Sequence, residues 1–97
     1  MRLFHRTTLD PDAVLATADS FFAALSLNKS ANDKRSRTFQ GVLGAMTMNV
    51  RMEGGHYTLI DVVTDQIGES RLDKNVKKFF VAVHRAAHPK HHVEAGY

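Results

Sequence analysis

Four of the six histidines lie in HRAAHPKHH, residues 84–92. His84 and His88 are four residues apart, so on a helix both imidazoles share one face, the spacing at which two side chains can hold one divalent metal. His91 or His92 could supply a third ligand after the chain bends at Pro89. On the helix that carries His84 and His88 no carboxylate or thiolate stands close to them, Asp73 being about three turns away. The same residues also serve as cations at a helix C-terminus, where they meet the last carbonyls and the negative end of the dipole. The sequence thus calls for no cofactor, while leaving room for a divalent metal at His84 and His88.

Three further sets of residues could carry function. Residues 1–69 hold seven basic and eight acidic side chains, net −1, whereas residues 70–97 hold six and two, net +4. Lys74, Lys77, Lys78, Arg85 and Lys90 therefore form a localised cationic element suited to phosphate, nucleic acid or an acidic protein face, although solvated helices are commonly lysine-rich too. Met46, Met48 and Met52 alternate along one segment, with Tyr57, Phe79 and Phe80 available to join them. They can be the core of a small sandwich or an adaptable surface for an apolar ligand or partner. Asp61 is the remaining candidate: on the methionine face burial would raise its pKa, but no second titratable group accompanies it and a one-residue bulge turns it to solvent, the arrangement we favour. There is no nucleophile elbow, phosphate-cradling glycine loop or HExxH, and without cysteine there is neither thiol catalysis nor a disulfide.

Ninety-seven residues suffice for a single domain, here 1–97. RLFHRTTL reads as a first strand. Asp10 caps a helix that starts at Pro11, and Val14, Leu15, Ala18, Phe21, Phe22 and Leu25 make its apolar stripe. NKSANDKRSR, residues 28–37, has no buried face and is expected to be a polar loop. TFQGVLG, residues 38–44, fits either one bent strand or a tight corner between two short ones.

From Thr38 the period becomes two, Met46, Met48, Val50 and Met52 alternating with Thr47, Asn49 and Arg51, and Gly54-Gly55 suggests a two-residue hairpin turn into YTLIDVVT. Such a turn makes paired numbers sum to 109: Met52 faces Tyr57, Val50 faces Leu59, Met48 faces Asp61 and Met46 faces Val63. Ile60 and Val62 then lie on the other, mostly polar face, beside Thr47, Asn49 and Arg51. A last helix from about Ser70 carries Leu72, Val76, Phe79, Phe80 and Val83 on one side and stops at Pro89, leaving a flexible tail over 90–97. Strand, helix, two or three antiparallel strands and helix make an α+β two-layer sandwich with both helices on one face of the sheet.

From about residue 38 to 88, FQGVLGAMTMNV, RMEGGHYTLIDVV and GESRLDKNVKKFFVAV resemble the second half of helix-grip (START-like) proteins. GVLGAMTM and the element order are similar to small proteins of polyhydroxyalkanoate granule systems. The first resemblance implies a curved sheet gripping an apolar ligand against a C-terminal helix; neither carries over a catalytic residue.

The expected function is that of a non-enzymatic accessory or binding domain, meeting a protein partner (another copy of itself, or a larger complex in which it is a small subunit) or an apolar small molecule. The surface for this comprises Met46, Met48, Met52, Tyr57, Ile60, Val62, Phe79 and Phe80. The alternative is an RNA- or phosphate-binding module built on the basic last helix. No apolar run is long enough for a membrane span or signal peptide, so a cytoplasmic location is expected.

Overall fold

The structure, a computed structural model, describes residues 1–88. It is the expected α+β two-layer sandwich, with five strands where three or four were expected. β1 (Arg2–Thr7) leads into α1 (Pro11–Ala23), followed by β2 (Asn28–Asn32), β3 (Ser36–Gly41), β4 (Gly44–Glu53) and β5 (Tyr57–Thr64), and then α2 (Arg71–Ala87). The strands are ordered β1-β5-β4-β3-β2, every neighbouring pair antiparallel.

Both helices begin where the capping residues demand. The Asp10 carboxylate accepts from the Ala13 N–H, and Pro11 occupies the first turn, where it forfeits no bond. α2 starts with a capping box: the Ser70 hydroxyl accepts from the Asp73 N–H while the Asp73 carboxylate accepts from the Ser70 N–H. The two apolar stripes then meet over the sheet. Phe22 lies 5.2 Å from Phe79 and 5.2 Å from Phe39 of β3, and Phe21 lies 5.7 Å from Phe79, centroid to centroid. Burying each such ring is worth about 1.5–3 kcal/mol, so these aromatics hold α1, α2 and β3 together.

Two sequence expectations are corrected. Residues 28–37 are not a loop: β2 and the start of β3 occupy most of them, joined by a turn in which the Asp33 carboxylate accepts from the Arg35 N–H. β2 is an edge strand whose five side chains are all exposed, so pairing of its backbone leaves no period-two signature. TFQGVLG is the tight corner, with Gly41 opposite Gly44 and two residues between them. Gly44 has φ +127°, and a Cβ there would come 2.6 Å from Gln66 Nε2 and 2.7 Å from Asp65 Oδ1.

The second correction concerns register. The β4–β5 loop has three residues, Gly54, Gly55 and His56, with both glycines left-handed (φ +64° and +76°). Pairing therefore starts at Glu53 opposite Tyr57, and Met48 faces Val62, Val50 faces Ile60, Asn49 faces Asp61. The one-residue slip exchanges the faces of β5. Ile60 and Val62 are completely buried under the helices with Met46, Met48 and Val50, and Asp61 points away from them.

Asp73 ties the layers together. Fully buried, it accepts from the Thr64 hydroxyl at 2.7 Å and the Ser70 hydroxyl at 2.9 Å. Burial pushes this carboxyl up, but the hydrogen bonds from Thr64 and Ser70 outweigh burial and hold it below the ordinary carboxylate value. Asp73→Ala should cost about 2–3 kcal/mol, by loss of the cap and stranding of the Thr64 hydroxyl. A group with a lowered folded pKa contributes in full above its unfolded value and loses that contribution as pH falls through the folded one. The difference in urea midpoint between wild type and variant should accordingly shrink below about pH 4; a difference that stays constant with pH contradicts this role.

Candidate functional site

The structure divides the sequence-selected residues into three places. Met46, Met48, Ile60, Val62, Phe79 and Phe80 are all at most 6% exposed and lie in the core. They pack the sheet against the helices, so Ile60 and Val62 are not part of an outer face. Met52 and Tyr57, by contrast, are half exposed at the far end of the β4–β5 hairpin. Lys74, Lys78 and Arg85 are exposed on the outer side of α2, with Lys77 half-buried beside them. Lys90, His91 and His92 lie outside the described residues.

Helices cover only one face of the sheet. On the other, the register aligns Arg2, Phe4 and Arg6 of β1 with Val63, Asp61 and Leu59 of β5. Phe4, midway along the edge strand β1, and Val63, one residue from the end of β5, are 52% and 47% exposed. Leu59 is buried on this side, flanked by Arg6 and Arg51, whose aliphatic stems can cover it. Two of the three cations on this face are paired within it, while Arg51 forms no ion pair among the described residues. Arg2 grips Asp61 through both oxygens (Nε–Oδ1 3.1 Å, Nη2–Oδ2 2.9 Å) and lies 4.9 Å from the Phe4 ring centroid. Arg6 donates to Glu53 at 2.7 Å, and this hydrogen bond holds the Glu53 carboxyl below its usual range. Beside Val63 is a shallow hollow of about 250 Å³, lined also by Ala45, Met46, Thr47, Thr64 and Asp65.

A second concavity opens where the end of β1 meets the last turns of α2. About 240 Å³ in volume, it is lined by Arg6, Thr7, Thr8, Tyr57, His84 and His88. The two imidazoles share one side of the helix as their spacing requires, with ring centroids 5.0 Å apart. Among the described residues no group of three histidines or carboxylates converges on a point where a metal could sit. On the core side of this cleft His5 stacks on Phe80, centroids 5.0 Å apart and planes 13° from parallel, and its Nε2 is buried without a hydrogen-bond partner among the described residues.

Sequence reasoning missed Phe4 and Val63, because the expected register put Val63 inside. It also missed the cleft, whose walls come from residues 6–8, 57 and 84–88. The alternation of Arg2, Phe4 and Arg6 against Leu3, His5 and Thr7 was the signal present in β1. The chain matches no family model and no curated protein. No helix among the described residues is long and apolar enough to cross a membrane.

His5 gives this region a measurable pH response. Burial, and then the charge of nearby His84, push its pKa below the ordinary imidazole value. A base with a lowered folded pKa costs stability as pH falls through its unfolded value of about 6.5, because the unfolded chain takes up the proton first. His5→Phe, which preserves the stack on Phe80, should therefore lose less melting temperature than wild type between about pH 7.5 and 5. Parallel curves for the two proteins would show that His5 does not carry this penalty.

Proposed function

We propose that this chain is a non-enzymatic binding domain that docks onto a protein surface, a second copy of itself included, through the uncovered sheet face. The observation that carries the proposal is the pair Phe4 and Val63, half exposed on paired strands on either side of the Arg2–Asp61 bridge. Antiparallel sheets commonly leave one face to water, but that face is then polar along its length. Apolar side chains set among mostly paired charges suit a protein partner, since desolvating such a surface strands few unpaired charges. With Arg2 and Arg6 both paired, the face carries little of the uncompensated positive charge that nucleic acid would need.

The helix-grip resemblance enters only as scaffold, an antiparallel sheet with a C-terminal helix laid across it. Met46, Met48, Ile60, Val62 and Phe79, the side chains that would line a gripped ligand, are buried against one another, which favours a partner over an apolar small molecule. RNA or phosphate binding along α2 ranks second. Among the described residues Lys74, Lys77 and Lys78 form no ion pair, yet no exposed Phe or Tyr on that side offers a base something to stack on. A cytoplasmic setting remains our inference from the sequence.

Photo-crosslinking in the protein's own host tests the docking face. Benzoylphenylalanine in place of Phe4 or Val63 should give a discrete protein adduct, dimeric or heteromeric, several-fold more abundant than from Val42, which is fully exposed in the β3–β4 corner. Equal or absent adducts at the three positions would refute the proposal.

A further inference from the structure

We propose a second site, which adjoins the docking face and shares Arg6 with it: the cleft between the end of β1 and the last turns of α2 binds a phosphate group, free or as a small phosphomonoester. Among the described residues its walls supply one guanidinium (Arg6), two imidazoles (His84, His88) and three hydroxyls (Thr7, Thr8, Tyr57), and no carboxylate. Every one of those side chains can donate a hydrogen bond, and three can bear positive charge, the combination a tetrahedral dianion requires.

The paired histidines alone would suggest a metal. Arg6 favours the anion, because its guanidinium offers N–H donors to an oxyanion and no lone pair to a divalent cation, even with its charge partnered by Glu53. Its Nε is engaged by Glu53 at 2.7 Å, which fixes the guanidinium plane while the Nη groups keep donor capacity. The cavity of about 240 Å³ exceeds what one phosphate fills, and Tyr57 in its wall gives an attached organic group an aromatic surface. The charged and titratable groups around the site are His5 and Arg6 from β1, Glu53 from β4, Tyr57 from β5, and His84, Arg85 and His88 from α2. The negative end of the α2 dipole opposes an anion here, so the guanidinium and the ring N–H and hydroxyl donors must outweigh it.

The test uses the full chain and two probes, inorganic phosphate and phenyl phosphate, followed by NMR of the histidine rings and the arginine Nε–H groups. Saturable shifts at Arg6, His84 and His88 are expected, with affinity at least tenfold weaker in Arg6→Gln and in the exposed His88→Gln, and unchanged in Lys74→Gln/Lys78→Gln. Tighter binding of phenyl phosphate would identify the monoester as the fitting ligand, and equal binding free phosphate. Linear, non-saturating shifts overturn the proposal. So does binding lost in the lysine variant instead, which would move the anion to the outer side of α2. Saturable zinc binding at the same histidines, without phosphate binding, would replace the anion by a metal.

Discussion

Everything distinctive about this protein depends on the register of the β4–β5 hairpin. Three residues, two of them left-handed glycines, close the loop and pair Glu53 with Tyr57. From that point alternation alone sends Met46, Met48, Val50, Ile60 and Val62 under the helices and Leu59, Asp61 and Val63 to the open side. A two-residue loop would bury a carboxylate at position 61 and expose two β-branched residues. In the observed register the carboxylate meets Arg2 instead, and the core closes without an ionised group among the methionines.

That hairpin is locked to the helical layer at both ends. At one end the Thr58 hydroxyl donates to the Leu9 carbonyl at 2.7 Å, tying β5 to the turn before α1. At the other, Thr64 reaches Asp73, which also closes the α2 capping box. One buried carboxylate thus links strand end, helix start and helix orientation. Because α2 is held at its N-terminus, the position of its C-terminal half over β1 follows, and with it the stack of Phe80 on His5 and the cleft between Arg6 and His84.

Elements whose signals are local could be read from the chain: both helices through their stripes and caps, and the His84–His88 pair through its spacing. Asp61's outward position was also legible, since no second titratable partner lay near it. What escaped was non-local or featureless. β2 is an exposed edge strand, held by backbone pairing that polar residues reveal no more than a loop does. The hairpin register turned on whether His56 belonged to the strand or the loop, and one residue moved Ile60, Val62 and Val63 to opposite faces. The cleft joins three distant segments, so no window of sequence contains it.

With no native cysteine, the chain allows one direct measurement of the face assignment. Single cysteines at positions 60, 62 and 63 can be labelled with a soluble thiol reagent in the folded protein. We predict that Val63→Cys reacts at nearly the rate of an unstructured thiol, while Ile60→Cys and Val62→Cys react slower by on the order of a hundredfold or more, limited by unfolding. Rapid labelling at 62 with protection at 63 would contradict the register, and with it both the core and the docking face built on it.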